Sequence, residues 1–267
     1  MKEENIIKKY YNQDPQKEWD RLDGFKYEFE ITKNMFGKYL KRGKILDIGG
    51  GAGRYSLYLA ELGYDVTLVD LSENNVSFAL EKAKESGLKI NAFQADAKNL
   101  DKLNLGKFDS VLLMGPLYHL SSEEDRIKCV SEAKKHLKQG GIIFASFLSL
   151  NSMLNYCLDK ELDALITDED TGLLDCMVNN KTWTGDAFTR VTFVDSDSIE
   201  PFFTKCGFRK ISIFGQEGIA ARSLQVLESA QEEIRDFYLD LSLRLCEKPK
   251  YWTYSSHLMY VGENIDL

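Results

Sequence analysis

Residues 45–54 read Ile-Leu-Asp-Ile-Gly-Gly-Gly-Ala-Gly-Arg, and this stretch decides the fold. A short apolar run carries Asp47, and glycines follow at the alternate positions Gly49, Gly51 and Gly53, with Gly50 between the first two. A helical spacing of apolar residues begins directly afterwards. Glycine has no Cβ, so a strand that runs into such a turn bends sharply and admits a ligand against its backbone. The helix that follows aims its unpaired N–H groups and the positive end of its dipole at that ligand.

Working outward, strand-like and helix-like segments alternate from 44 to 147. Strands are predicted at 44–48, 65–70, 89–94, 108–114 and 141–147, and helices at about 53–62, 73–86 and 122–138. Such alternation predicts a mostly parallel sheet with helices on both faces. Gly63 and Gly87 sit where helices close. Ser121 and Glu124 have the spacing of a capping box, and Gly140-Gly141 stops the helix before the next strand.

Upstream, residues 1–40 read as helical and aromatic, with Tyr10, Tyr11, Trp19, Phe25, Tyr27, Phe29 and Phe36. Past 148 the alternation breaks. A helix at about 151–166, an acidic loop Thr167–Thr171 and strand-like pieces near 174–179 and 188–194 form an insertion of the kind that covers a substrate. The pattern resumes with a helix near 197–206 (Pro201 inside it), a strand 208–215, a long amphipathic helix near 223–246 and a last strand 257–262. Four parts follow: a helical cap at 1–40, a core at 41–148, an insertion at 149–195 and a C-terminal completion of the sheet at 196–267.

Composition narrows the function. The 267 residues suffice for a large core without a metal or disulfide staple. Lys and Arg number 34 against 42 Asp and Glu, for a net charge of −8, and the basic residues are scattered in pairs such as Lys8-Lys9 and Lys134-Lys135. That is a poor footprint for gripping a nucleic-acid backbone. The five cysteines (129, 157, 176, 206 and 246) include no C-x-x-C pair and read as reduced thiols. No secretory leader or membrane span is visible, which predicts a cytoplasmic protein.

Spacing separates the nucleotide cofactors. A dinucleotide fingerprint, G-x-G-x-x-G, would need glycine at 54, where Arg54 stands; counted from Gly50 it fails at Ala52. The chain carries D-x-G-x-G-x-G instead. LDIGGGAGR resembles the first motif of the class I S-adenosylmethionine (SAM) methyltransferases, and MGPLYHL at 114–120 resembles a segment of bacterial members with small-molecule substrates. The resemblance covers about 40–148 well and 196–215 loosely. It implies a Rossmann-like seven-stranded sheet with the last strand antiparallel. It also implies SAM as cofactor, S-adenosylhomocysteine (SAH) as product, and in-line methyl transfer to an oxygen, nitrogen or carbon of a small molecule.

Candidate site residues follow. Asp70 ends DVTLVD, where an acidic side chain accepts the ribose hydroxyls of a nucleotide; with Ser72 it also suits a helix N-cap. Leu71 follows it. Asp96 in FQADAKNL would accept from the adenine amine with the Ala97 N–H alongside, or shape a turn. Met114 and Gly115 would line the methionine part. Tyr118 and His119 fall near the reactive centre, with His119 a candidate general base or positioning group. Asp47, Gly49, Gly50, Gly51 and Gly53 form the cofactor loop. Arg54 would pair with a carboxylate, the cofactor's or Asp47, or cover the sheet edge with its stem. The resemblance folds Tyr11, Trp19 and Arg21 over the cofactor; core packing is their other reading. His136 reads as a surface residue, and His257 as facing either way. Trp183, Phe188, Arg190, Phe193, Trp252 and Tyr254 are aromatic-wall or core candidates. Asp109 lacks companion oxygen ligands at matching strand ends, so no metal is expected. Rival readings are a non-catalytic SAM-binding module, an NAD-dependent oxidoreductase and an RNA methyltransferase.

Overall fold

The computed structural model describes residues 3–24, 26–167 and 172–265; Phe25 and positions 168–171 of the acidic loop lie outside them. The strands are β1 (Lys44–Ile48), β2 (Asp65–Asp70), β3 (Asn91–Gln94), β4 (Phe108–Leu113), β5 (Leu137–Ser149), β6 (Trp183–Asp186), β7 (Arg190–Val194), β8 (Phe208–Gly215) and β9 (His257–Asn264). The helices are α1 (Glu3–Tyr11), α2 (Pro15–Gly24), α3 (Lys26–Tyr39), α4 (Arg54–Glu61), α5 (Glu73–Glu85), α6 (Glu123–His136), α7 (Leu150–Lys160), α8 (Leu173–Val178), α9 (Ile199–Lys205), α10 (Leu224–Glu228) and α11 (Glu232–Leu245).

β3, β2, β1, β4 and β5 pair in that order, all parallel. β9 then runs antiparallel to β5 from Ile142 to Leu148, and β8 pairs antiparallel with β9. This is the anticipated seven-stranded sheet with an antiparallel last strand. The centre of it is apolar on both faces, as Ile45, Leu46, Ile48, Val111, Leu112 and Leu113 show, because helices cover both sides. Ile31 and Phe36 of α3 and Tyr55 and Leu59 of α4 pack on one face. Cys129, Val130 and Ala133 of α6 and Phe203 of α9 pack on the other.

Two further strands bring the sheet to nine. β6 and β7 form a hairpin from the insertion, and β7 pairs with the last two residues of β5. Leu148 therefore has His257 on one side and Phe193 on the other. β7 occupies the edge that β4 vacates when it ends at Leu113, directly above the carboxyl end of the sheet.

Several local expectations are corrected. The piece near 174–179 is helix α8, not strand: Leu173, Cys176 and Met177 meet the hairpin core at helical spacing while Val178 faces out. β6 escaped notice because it is short and holds Gly185, over which the Trp183 ring folds. The long helix at 223–246 is two, α10 and α11. Leu227 packs beside Tyr27 and Ala220, and the chain then turns at Ser229–Gln231 before α11 runs along α3. Ser122, not Ser121, caps α6 by accepting from the Asp125 N–H at 3.1 Å. β5 starts at Leu137, so Gly140 (φ 68°) lies inside an irregular strand. α9 begins at Ile199, which puts Pro201 in the first turn, where its missing N–H costs nothing.

Candidate active site

The carboxyl ends of β1, β2, β4 and β5 open into a cavity of about 480 Å³, roofed by α1 and α2. The turn after β1 is tied to the neighbouring strand: the Gly49 N–H donates to the Val69 carbonyl at 2.7 Å. Gly49 has φ 74°, and a Cβ there would lie 2.5 Å from Pro116 Cδ. The turns after β1 and β4 thus close on each other, and only glycine permits it.

Asp70 stands beside that turn, 8% exposed. Its Oδ2 accepts from the Gly51 N–H (2.9 Å) and its Oδ1 from the Ser72 N–H (2.8 Å) and Asn75 Nδ2 (3.3 Å). Burial raises its carboxyl pKa, and the two backbone donors oppose the rise. The capping reading of Ser72 holds as well, since its hydroxyl accepts from the Asn75 N–H. Asp47 lies beneath the turn, where Ser56 Oγ donates to it at 2.7 Å and burial pushes its carboxyl up to about 7. Asp96 lines the cavity and shapes its own turn by accepting from the Lys98 N–H at 2.9 Å. Leu71, Ala97, Met114 and Gly115 complete this end.

Two expected residues do not reach the cavity wall. Gly53 (φ 86°) packs its bare Cα against Ala79, so it serves the contact between α4 and α5. Trp19 lies against Phe78 and under the Arg54 guanidinium, 4.7 Å from the ring centre. Arg54 lines the cavity, and its guanidinium pairs with Asp23 rather than with Asp47.

At the other end, His119 is buried between two partners. Its Nδ1 lies 3.0 Å from the Arg190 carbonyl and its Nε2 2.8 Å from the Tyr11 hydroxyl. A carbonyl only accepts, so Nδ1 carries the proton and Nε2 accepts from Tyr11. Burial pushes the imidazole down to about 4. α1 is latched a second time, by Asn74 Nδ2 donating to the Asn12 carbonyl at 2.7 Å. Tyr118 also faces the cavity, where burial raises its phenol.

One wall of the cavity joins Arg21, expected there, to residues whose part in the site was not foreseen. Arg21 holds Glu28 through both carboxylate oxygens, at 2.9 and 3.3 Å. Burial alone would raise the Glu28 carboxyl, but Arg21 outweighs it and holds the group below its usual range. Ser146 donates to Gln216, and His257 is bound to Glu217. These residues come from α2, α3, β5, the loop after β8 and β9, and no short motif joins them. The one available signal was polar residues at the ends of apolar strands.

Residues 45–141 match the family profile described as Methyltransferase domain. Over that segment the chain is similar to methyltransferase domains. The glycine/sarcosine N-methyltransferase of Parasynechococcus marenigrum is 30% identical over 158 residues, 58% of this chain and 56% of that protein. The ubiquinone biosynthesis O-methyltransferase of Caulobacter vibrioides is 38% identical over 105 residues, 39% of this chain and 40% of that one. The chain thus spans about half the length of the curated relatives it matches. Among solved structures, magnesium protoporphyrin IX methyltransferase from Synechocystis PCC 6803 with bound SAH superposes with a TM-score of 0.60 at 16% identity, over 98% of this chain and 99% of that one. This likeness establishes the shared fold. The matched segment supplies the glycine turn, Asp70, Asp96, Met114 and His119. Tyr11, Arg21, Glu28, Ser146, Gln216 and His257 reach the cavity from outside it.

Proposed function

We propose that this protein binds SAM in the cavity above β1, β2 and β4 and transfers its methyl group to an oxygen, nitrogen or carbon of a small molecule, releasing SAH. The observation that carries this reading is that the D-x-G-x-G-x-G turn and Asp70 form one hydrogen-bonded unit along a single cavity wall. The residues suit such a cofactor. Side chains at Gly49 or Gly50 would collide with Pro116 or with Asp47 and Leu68, so the backbone itself is the contact surface. Asp70 Oδ2, which accepts from the Gly51 N–H alone, keeps lone-pair capacity for a ribose hydroxyl. A cavity of this volume is of the size that small ligands and cofactors use.

In this reading Asp70 and Leu71 hold the ribose, Asp96 and the Ala97 N–H the adenine, and Gly49, Gly50, Gly51, Met114 and Gly115 the methionine arm. Asp47 supports the turn from below. Gly53, Arg54 and Trp19 hold α2, α4 and α5 around it. Tyr11, Arg21 and Tyr118 close the reactive end. When bound, SAM supplies a methyl group already activated on a sulfonium. The chain's residues therefore align the acceptor and exclude water, an entropic service that reaches on the order of 7–11 kcal/mol at best. His119 serves as a positioning group in this scheme: its Nε2 is occupied by Tyr11, and a base near pKa 4 holds a proton poorly.

The small roofed cavity and the net charge of −8 favour a small-molecule acceptor over RNA, as do relatives named for glycine and sarcosine. Among the described residues no helix is long and apolar enough to cross a membrane, which agrees with a cytoplasmic role. Titration calorimetry with SAH, with NADH as control, tests the cofactor. Binding of SAH alone is expected, and the absence of any SAH uptake rejects the reading. Label passing from isotope-labelled SAM to a small molecule then separates an enzyme from a SAM-binding module.

A further inference from the structure

The cavity wall formed by Glu28, Gln216 and His257 holds a polar group that cofactor binding leaves unused. His257 opens β9 and faces titratable groups from four other segments. These are Glu217 from the loop after β8, Glu28 from α3, Arg21 from α2, and Tyr118 from the turn after β4, whose ring centre is 5.9 Å away. Glu217 is 1% exposed and gives both oxygens to this one residue. Oε1 accepts from the Nδ1–H at 2.6 Å, and Oε2 from the His257 backbone N–H at 3.1 Å. Ring orientation and tautomer are both set by that pair. Nε2, on the opposite edge of the ring, makes no hydrogen bond among the described residues, and His257 lines the cavity.

Ligand-type atoms of Glu28, Glu217 and His257 lie within 4.8 Å of one another. Hydrogen bonds already commit these groups, however: Glu28 to Arg21, and Glu217 to His257. The trio is built to handle a proton rather than to cage a metal. It also differs from the buried His119 in the one property that matters for a base. Burial opposes the charged imidazole in both, but the Glu217 carboxylate outweighs it at His257 and raises its affinity for a proton.

We infer that His257, oriented by Glu217, is the general base of the reaction, and that the acceptor is a molecule whose attacking oxygen or nitrogen carries a removable proton. This inference rests on the methyl-transfer reading above. The acceptor's proton passes to Nε2 before or as its lone pair forms the bond to the methyl carbon. The carbon–sulfur bond pair returns to sulfur, giving the neutral thioether. The imidazolium, balanced by Glu217, loses its proton to water after the products leave. Hydroxyl and ammonium acceptors qualify, since each must lose a proton before or as it attacks.

The test uses the intact protein, 15N-labelled at histidine, with bound SAH. At pH 8 the spectrum is expected to show a neutral His257 ring protonated at Nδ1 and bare at Nε2. Glu217→Gln is expected to move its titration to lower pH. A ring protonated at Nε2 cannot accept a proton and overturns the inference. Transfer from labelled SAM is then followed with two probe acceptors, sarcosine for nitrogen and 3,4-dihydroxybenzoate for oxygen. His257→Gln is expected to lower the rate about a hundredfold at pH 7, the usual scale for general-base catalysis, with recovery toward pH 10 as solution removes the proton. SAH affinity should stay within about threefold. A variant that keeps the wild-type rate and pH profile overturns the proposal. Should neither probe take label, the tautomer decides. If SAH itself fails to bind, the cofactor reading has failed rather than the base assignment.

Discussion

The Tyr11 hydroxyl donates to His119 Nε2 at 2.8 Å across 108 positions of sequence, pinning the N-terminal helix to the turn after β4. The same turn holds the hairpin of the insertion, because the other nitrogen of His119 donates to the Arg190 carbonyl. One imidazole thus joins the cap, the core and the insertion.

Tyr11→Phe removes the donor and leaves Nε2 buried without a partner, at a cost of about 1–3 kcal/mol unless α1 opens. The expected outcome is a roughly tenfold weaker affinity for SAH, by calorimetry, with faster amide exchange over residues 3–12. Unchanged affinity and exchange would mean that the roof is held by other contacts, such as those of Asn12.

His119 predicts an acid-side loss of stability. Its ordinary value is 6.5 and burial pushes it to about 4 in the folded chain. Between those values the unfolded state binds a proton that the native state refuses, so stability is lost as pH falls from 6.5 to 4. The full effect is about 3 kcal/mol. Urea denaturation of the wild type and of His119→Gln at pH 7 and pH 4 should show the gap between them narrowing by about that amount toward low pH. Parallel profiles would refute the assignment.

Asp47 predicts the opposite slope. Its carboxyl moves from 3.8 to about 7, chiefly through burial. Between those values the native state holds a proton that the unfolded state has lost, so stability falls as pH rises and stays lower above 7. Asp47→Asn carries no charge to bury and keeps an oxygen for the Ser56 hydroxyl. It should gain on the wild type between pH 4 and 8, by about 4 kcal/mol at most. Melting curves across that range would show the gain; a constant difference would contradict it.

Asp70→Ala strips the acceptor from the Gly51 and Ser72 N–H groups and from any ribose bound there. Loss of a charged hydrogen-bond partner costs about 1.5–3 kcal/mol, so SAH affinity should fall by tenfold or more in calorimetry. An unaltered Kd would place the ribose elsewhere.

How much of this was legible in the sequence follows from how local each feature is. The glycine turn, Asp70 and Asp96 were readable because a strand, a tight turn and a helix fix their neighbours within a few residues. Strands β1, β2 and β4 were readable because each carries a short β-branched or leucine-rich run between turn signals. α8 was misread because Leu173-Leu174-Asp175-Cys176-Met177-Val178 is too short for alternation and helical spacing to part company. The pairing of Arg21 with Glu28 and of His257 with Glu217 was not legible for another reason. Arg21 and Glu28 sit on two different helices, and Glu217 meets His257 only because β8 pairs antiparallel with β9, which sets Gly215 opposite Leu258. The partners of His119 were hidden similarly, since Tyr11 and Arg190 lie far from it in sequence, at the N-terminus and in the hairpin.

The shape of the first turn is open to a direct comparison of two glycines. Gly49 has φ 74° and Gly87 has φ 66°, so alanine is strained at both. A Cβ at Gly87 meets nothing within 4 Å, whereas one at Gly49 lies 2.5 Å from Pro116 Cδ. Gly87→Ala should therefore cost only the backbone term, about 1–2 kcal/mol, and leave SAH affinity intact. Gly49→Ala pays the same term and must also push the β1 turn away from the ring of Pro116. That moves the Gly51 N–H off Asp70, and the coupled loss of both should lower the melting temperature further and weaken SAH binding more than tenfold. Thermal melts with and without saturating SAH measure both effects at once. Equal ligand-induced shifts in the two variants would show that the close approach of these turns does not shape the cofactor site.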